Sequence, residues 1–144
     1  LVNKTRFLPK RAIVLNPFSG IAFSPADRKR VEDFGLVALD CSWEYAEKVL
    51  LKHVKGTSRC LPILIAGNPV NFGKATKLTT AEALAAALYI AGFKHKATEL
   101  LSIFTWGHTF IELNLATLEK YTTAQNSADI IRIQNMLGGN RDRP

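Results

Sequence analysis

The residues best placed to do chemistry in this chain follow three short apolar runs. The runs cover residues 12–15, 36–39 and 61–66, and each is typical of a buried strand. The segments after them cover residues 16–20, 40–43 and 67–77. In a parallel sheet the carboxyl ends of the strands share one edge, where ligand crevices form. The three segments are therefore expected to surround one site.

Asp40 would be a lone carboxylate at the mouth of this crevice. Such a group can act as a general base or orient a cationic group. An aspartate at a strand-to-helix turn also commonly accepts backbone N–H bonds and does nothing more. Trp43 is similarly ambiguous, because it suits either a stacking surface for a nucleobase or sulfonium or an ordinary core aromatic. The pattern leaves both questions open.

The third segment belongs to the longest loop, residues 67–78, which holds two glycines, one proline, two asparagines and two lysines. Loops of this length in compact domains are often functional, although a well-packed connection fits the pattern equally. Neither G-x-x-x-x-G-K-[ST] nor G-x-G-x-x-G occurs, so the loop is not a phosphate cradle of the usual kind. Thr79-x-x-Glu82 predicts a capping box that opens an alanine-rich, largely buried helix, and Gly92 predicts its end.

Other helix signals place these loops in a single α/β domain spanning residues 1–144. Ser24 and Pro25 predict a helix start, and Gly35 its end. Further helices are expected over residues 42–56, 80–91, 96–104, 109–121 and 127–137. Strands that alternate with helices favour a parallel sheet.

Charge and cysteine usage narrow the class of partner. The formal net charge is +7 and the pI about 9.7, which favours an anionic partner, with nucleic acid as the default. A well-solvated basic protein is a common alternative that the charge alone leaves open. The candidate contacts are Lys10, Arg11, Arg28, Lys29, Arg30, Lys74 and Lys77.

No apolar run reaches the ~18 residues of a membrane span. Cys41 and Cys60 form no C-x-x-C pair, so we expect no metal site and a reducing intracellular setting.

Familiar catalytic constellations do not stand out in the sequence. No Ser-His-Asp, Cys-His or paired-carboxylate arrangement is evident. His108 follows Gly107 between two predicted helices, where a lone histidine is more often structural. The residues alone therefore predict a basic α/β domain with a small-ligand crevice and an anionic partner.

Four separated motifs carry a resemblance to a known family. They are VLNPFSGIAFSPADR at residues 14–28, DCSW at 40–43, LPILIAGNPVNFGKATKLTTAEALAAALYIAGF at 61–93 and FTWGHTFIELN at 104–114. Together they resemble the ribosome-biogenesis aminocarboxypropyltransferases of archaea and eukaryotes. The archaeal branch is the nearer match, because no long acidic tail is present.

This resemblance implies a SPOUT-like parallel sheet with helices on both faces and a deep trefoil knot over residues 61–121. The family binds S-adenosylmethionine in the knot. It transfers the 3-amino-3-carboxypropyl group to N3 of a pseudouridine or N1-methylpseudouridine in small-subunit rRNA, and methylthioadenosine leaves. Two alternatives remain open: an rRNA methyltransferase of the SPOUT type, and a non-catalytic RNA-binding assembly factor.

Site residues follow from position in the matched motifs. The resemblance assigns the cofactor contacts to Leu39, Trp43, Leu61, Leu64, Thr76 and Thr80. Asp40 is the candidate base, and the clustered lysines and arginines would bind phosphates of the pre-ribosomal small subunit. A cytoplasmic monomer without metal is expected. Family members also carry a leading segment whose threonine touches the cofactor, and because this chain opens at Leu1 we expect that segment to be truncated.

Overall fold

The computed structural model describes residues 10–38 and 57–139 of the chain. In these ranges three short parallel strands form one sheet: β1 (Ile13–Leu15), β2 (Leu36–Ala38) and β3 (Thr57–Arg59). The order is β2-β1-β3, so β1 is central, and all three of its residues are buried. The predicted parallel α/β sheet is confirmed.

The position predicted for the third strand is wrong. β3 ends at Arg59, Cys60 makes one isolated parallel bridge to Ala22, and residues 61–66 lie outside the sheet. Pro62 has no N–H to donate to a strand ladder. The apolar character of residues 61–66 reflects burial in another environment, described below, and not membership of the sheet.

The first helical unit confirms the signals at Ser24 and Pro25. A 3-10 turn at Pro25–Asp27 leads into α1 (Arg28–Phe34). Ser24 Oγ accepts a hydrogen bond from Ala26 N–H, and Asp27 Oδ2 accepts one from Ser24 N–H, both at 3.2 Å. This reciprocal cap fixes the start of the helical unit.

The central helix is α2 (Thr80–Ile90), which contacts β2 and the next two helices. Its capping box is confirmed, because Thr79 Oγ1 accepts from Glu82 N–H at 3.2 Å and Glu82 Oε1 accepts from Thr79 N–H at 2.9 Å. Gly92, at φ +98°, follows its last turn in the left-handed region that favours glycine. None of the α2 residues is exposed, as the alanine-rich sequence predicted.

Three further helices complete the described fold: α3 (Lys94–Leu101), α4 (Gly107–Thr122) and α5 (Ser127–Gly139). α3 begins two residues earlier and ends three residues earlier than predicted. A Cβ at Gly107 would lie 1.9 Å from the Leu101 carbonyl oxygen, so this glycine permits a close approach at the turn between α3 and α4. The helix predicted over residues 42–56 lies outside the described residues.

Candidate active site

A cavity of about 400 Å³ lies at the carboxyl edge of the sheet. Its volume is in the range of small-molecule sites. Its described lining comprises Leu15, Pro17, Ala22, Ala38, Cys60, Leu61, Pro62, Ile63, Leu64, Thr76, Leu78, Thr79, Thr80, Ala83, Ile131 and Gln134. This lining is mostly aliphatic, with a few hydroxyl and amide groups and no carboxylate.

The sheet forms one wall of this cavity. Leu15 and Ala38 are the last residues of β1 and β2, and Cys60 directly follows β3. A cavity is thus present at the sheet edge where the sequence predicted a ligand crevice, and its use by a ligand stays a prediction. Burial raises the pKa of the Cys60 thiol, more than a backbone hydrogen bond lowers it, so this side chain lines the cavity as a neutral group.

Four of the six residues predicted to contact the cofactor line this one cavity: Leu61, Leu64, Thr76 and Thr80. The other two, Leu39 and Trp43, lie outside the described residues, as does Asp40. In sequence, Leu39 and Asp40 directly follow the cavity-lining Ala38. The structure brings the four described residues together; the role of each as a cofactor contact stays a prediction.

Residues 61–66, termed the 61–66 segment, contribute Leu61, Pro62, Ile63 and Leu64 to the cavity lining. The segment is held by side chains from α4 and α5. Asn114 Oδ1 accepts from Ile65 N–H, and Asn114 Nδ2 donates to the Ile65 carbonyl, both at 2.8 Å. Gln134 Oε1 accepts from Ile63 N–H at 2.8 Å, and the Tyr121 hydroxyl donates to the Ile63 carbonyl at 3.1 Å. These side chains supply the hydrogen bonds that a neighbouring strand supplies in a sheet.

Alternate residues of the 61–66 segment bond to the long loop that follows it. Thr76 N–H donates to the Leu64 carbonyl at 3.2 Å. Ala66 accepts from Gly73 N–H and donates to the Lys74 carbonyl, both at 2.9 Å. The segment therefore makes hydrogen bonds on two sides without belonging to the sheet. These bonds satisfy the backbone groups of Ile63, Ile65 and Ala66 and the carbonyl of Leu64.

Glu82 fixes the two ends of the long loop to the first turn of α2. Its side chain is fully buried. Its Oε2 accepts from Gly67 N–H at 2.7 Å, and its Oε1 accepts from Asn68 Nδ2 at 2.7 Å as well as from Thr79 N–H. The sequence predicted Glu82 as a capping residue only, and its hold on Gly67 and Asn68 was missed.

Thr76 carries local backbone strain within this loop. Among the described non-glycine residues it alone has a positive φ, at +62°. A left-handed conformation costs an ordinary residue roughly 1–2 kcal/mol, and a β-branched residue adopts it rarely. Strain of this kind concentrates at ligand sites. Its location in the cavity lining agrees with a binding role for this part of the loop.

The basic residues predicted for RNA binding separate into groups. Lys74 and Lys77 are exposed on the loop that lines the cavity. Lys10 and Arg11 precede β1 at the amino edge of the sheet, where Arg30 donates to the Arg11 carbonyl at 3.3 Å. Both guanidinium groups approach the Phe34 ring.

Arg28 and Lys29 have partners within the fold. Arg28 pairs with Glu32 at 3.1 Å, donates to the Ala91 carbonyl at 3.3 Å and lies over the Phe93 ring. It therefore joins α1 to the end of α2. Lys29 pairs with Asp33 at 3.5 Å but keeps 84% of its side chain exposed.

Two searches of the described residues bear on other classes of site. Residues 10–38 and 57–139 hold no group of three or more His, Cys, Asp or Glu that could bind a metal ion. In the same ranges, no helix has the length and apolar character needed to cross a membrane.

Sequence and structure comparisons place this architecture among known proteins. Residues 13–137 match the family model described as "Ribosome biogenesis protein, C-terminal". The 16S rRNA aminocarboxypropyltransferase of Methanosarcina mazei is 48% identical over 137 residues, which cover 94% of this chain and 78% of the relative. The protein of that name from Methanocaldococcus jannaschii is 47% identical over 127 residues, with 88% and 74% coverage.

A solved structure agrees with this assignment. The SAM-dependent rRNA:acp-transferase Tsr3 from Vulcanisaeta distributa superposes with a TM-score of 0.82 at 41% identity. The match covers 95% of this chain and 73% of the other. The chain therefore belongs to the ribosome-biogenesis protein family that includes the 16S rRNA aminocarboxypropyltransferases.

Proposed function

We propose that this chain is an rRNA aminocarboxypropyltransferase that uses S-adenosylmethionine as the donor and small-subunit rRNA as the acceptor. Curated relatives of this name are 44–48% identical to it. One structural observation carries the proposal: Leu61, Leu64, Thr76 and Thr80 line a single cavity at the carboxyl edge of the sheet. An enzyme of this class needs its donor bound at a defined edge that RNA can reach.

The chemistry of the lining suits the donor. Leu61, Leu64 and Leu78 offer apolar surface to an adenosine. We assign the polar contacts of its ring to the backbone of Leu61 and Leu64. Thr80 is the first residue of α2, where helix N–H groups and the helix dipole favour the carboxylate of an amino acid. S-adenosylmethionine supplies an electrophilic carbon next to a sulfonium.

The choice between two carbons on that sulfonium is a matter of orientation. A buried methyl and an aminocarboxypropyl chain directed toward the opening would favour transfer of the longer group. We assign this orientation to Leu39 and Trp43, which follow β2 in sequence, together with the wall formed by Leu15 and Ala38.

In the proposed reaction, a bond forms between N3 of a pseudouridine or N1-methylpseudouridine and the γ-carbon of the methionine moiety. The bond between that carbon and sulfur breaks, and sulfur keeps the electron pair in methylthioadenosine. The N3 proton passes to a base, and we assign that role to the Asp40 carboxylate. Lys10, Arg11, Arg28, Lys29, Arg30, Lys74 and Lys77 are the proposed phosphate contacts.

The finer features of the fold belong to the same proposal. A deep trefoil knot over residues 61–121 is supported by the enclosure of the 61–66 segment between helix side chains and its own following loop. We further propose a SPOUT-like sheet with helices on both faces, and a cytoplasmic monomer that acts on the pre-ribosomal small subunit.

The test is a transfer assay with S-adenosylmethionine labelled separately in its carboxyl carbon and in its methyl, using unmodified small-subunit RNA. Entry of the carboxyl label alone is expected. Entry of the methyl label alone would identify a methyltransferase instead. If neither label enters while S-adenosylmethionine and RNA both bind, the non-catalytic assembly factor is the better reading.

The role of Asp40 is tested in the same assay by Asp40→Asn and Asp40→Ala at saturating donor. General base catalysis contributes about 10²–10⁴-fold, so a loss of that order is expected for both variants. An unchanged rate in both would remove Asp40 from this role.

A further inference from the structure

The long loop displays apolar side chains to solvent at its tip. Val70 is 85% exposed and Phe72 59% exposed. Burying apolar side chains stabilises a fold, so their exposure forgoes stability. Exposed apolar patches can mark interaction surfaces, and the loop that carries these two side chains also supplies Thr76 and Leu78 to the cavity lining.

This tip is held in place by hydrogen bonds on both sides. Asn71 N–H donates to Asn68 Oδ1 at 3.0 Å, and Lys74 N–H donates to the Asn71 carbonyl at 3.0 Å. Gly73, at φ +79°, returns the chain toward Ala66, whose carbonyl accepts its N–H. Because Glu82 holds Asn68 in turn, the backbone that carries Phe72 is linked to α2, which lines the cavity.

Charge on the same loop identifies the kind of partner. Residues 67–81 contain Lys74 and Lys77 and no aspartate or glutamate. Both lysines are exposed, and Thr76 between them lines the cavity. A partner protein with an apolar surface would not explain the excess of positive charge on this loop. A polyanion that also carries flat apolar groups would explain both the lysines and the exposed apolar side chains.

We propose that Phe72 is a stacking surface for an unpaired base of the RNA substrate beside the modified nucleotide, with Lys74 and Lys77 meeting the adjacent phosphates. This inference rests on the proposed function and assigns Phe72 a part in RNA recognition. Proteins recognise single-stranded RNA largely by stacking unpaired bases on aromatic rings. Such stacking contributes about 1–3 kcal/mol per base and accepts any base, because every base has a π-face.

The test compares Phe72→Leu, Phe72→Trp and the matched control Val70→Ala in the full chain. The probe is an unmodified small-subunit RNA hairpin whose loop holds the acceptor nucleotide, and affinity is measured by fluorescence anisotropy. Phe72→Leu keeps an apolar side chain but removes the ring, so a Kd weaker by about 5- to 150-fold is expected from the loss of about 1–3 kcal/mol. Phe72→Trp and Val70→Ala should bind within about twofold of the wild type.

Salt dependence separates stacking from phosphate binding. Lys74→Gln should reduce the slope of log Kd against log salt by about 0.7, whereas Phe72→Leu should leave the slope unchanged. Wild-type affinity in Phe72→Leu would overturn the proposal, and so would equal losses in Phe72→Leu and Val70→Ala, which would indicate general apolar docking. S-adenosylmethionine affinity and thermal midpoints are measured in parallel, to confirm that the loop and cavity remain folded.

Binding and transfer assays distinguish the two levels of inference. If the wild type transfers the carboxyl label but Phe72→Leu binds the hairpin normally, the stacking role fails and the proposed function stands. If the wild type transfers no label while Phe72→Leu loses RNA affinity, the stacking role stands and the proposed function fails.

Discussion

β1 and the 61–66 segment are both apolar runs, the first fully and the second partly buried, and they are held in place in different ways. β1 is hydrogen-bonded on both sides by the backbones of β2 and β3. The 61–66 segment is bonded on one side by the backbone of the following loop. On the other side it is bonded by the side chains of Asn114, Tyr121 and Gln134, which lie 49, 58 and 71 residues away from their partners in sequence. The core strand thus depends on backbone pairing that many sequences can make, whereas the 61–66 segment depends also on particular side chains.

This difference separates stability from ligand binding. A strand ladder tolerates many side chains, because its bonds come from the backbone. The geometry of the 61–66 segment changes when α4 or α5 loses a polar group. Substitutions in these helices should therefore alter donor affinity. Truncations of Ile13 or Val14, the β1 residues outside the cavity lining, should alter the free energy of unfolding alone.

The largest effect is expected from Asn114→Ala. It removes both partners of Ile65, and each buried backbone group left unsatisfied costs about 1–3 kcal/mol. We expect the free energy of unfolding to fall by roughly 2–6 kcal/mol in urea titrations. Donor affinity, measured by calorimetry below the unfolding transition, should also fall at least tenfold.

The matched control for this variant is Val14→Ala in β1. Deleting its buried methyl groups should cost about 2 kcal/mol of stability. Donor affinity of the folded protein should remain unchanged. If Asn114→Ala and Val14→Ala affect donor affinity equally, the contrast between the two runs is false.

A smaller effect is expected from Glu82→Gln. Glutamine has one acceptor oxygen, whereas the carboxylate has two. At least one of the N–H groups of Gly67, Asn68 and Thr79 would therefore face the NH₂ group of the glutamine and lose its acceptor. The free energy of unfolding should fall by about 1–3 kcal/mol. The KM for S-adenosylmethionine should rise more than kcat falls, because the residue positions the loop and does not take part in the reaction.

Glu112→Gln is the control for Glu82→Gln, because Glu112 is exposed on α4. It should change neither stability nor KM. A Glu82→Gln variant with normal KM and reduced stability would limit Glu82 to helix capping.

A modest effect is expected from Gln134→Met, which preserves size and removes the acceptor for Ile63 N–H. Water can replace part of this bond, because Ile63 is 41% exposed, so the stability loss should be about 1 kcal/mol. Gln134→Glu keeps an acceptor oxygen and should restore the urea midpoint. Failure of the restoration would mean that α5 holds the 61–66 segment by packing alone.

Features that depend on neighbouring residues could be predicted from the sequence, and features that depend on distant side chains could not. Capping at Ser24 and Thr79 and the glycine stop at Gly92 were predicted correctly, because these signals act within a few residues. The third strand was misplaced, because nothing near residues 61–66 shows that Asn114 and Gln134 supply their partners. The additional bonds of Glu82 were missed for the same reason: a capping box is visible locally, and a bond to Gly67 is not.

The smallest expected effect lies far from the cavity, where Tyr89 donates to Glu119 and Lys94 pairs with the same carboxylate at 2.9 Å. Burial, and then the bond to Glu119 and its charge, raises the pKa of Tyr89 from 10.0 to about 12. The bonds from Tyr89 and then Lys94 lower the pKa of Glu119.

The signs of these shifts give two pH windows. The contribution of Tyr89 to the free energy of unfolding is complete below pH 10, and it is lost as the pH rises toward about 12. The contribution of Glu119 is present above its ordinary value of 4.5 and is lost as the pH falls through the lowered pKa. Tyr89→Phe should flatten the alkaline fall of the thermal midpoint and leave donor affinity unchanged, and an unflattened profile would assign that fall to other groups.

The central claim is that the donor occupies the cavity between the sheet edge and the 61–66 segment. Ala83 lines this cavity from α2, and Ala83→Leu adds apolar volume at a position where helix propensity barely changes. Ala128→Leu makes the same substitution at an exposed position of α5. Calorimetric titration with S-adenosylmethionine should show at least a tenfold weaker Kd for Ala83→Leu, at an unchanged or higher thermal midpoint, and a normal Kd for Ala128→Leu. A normal Kd in Ala83→Leu would place the donor elsewhere and contradict the account.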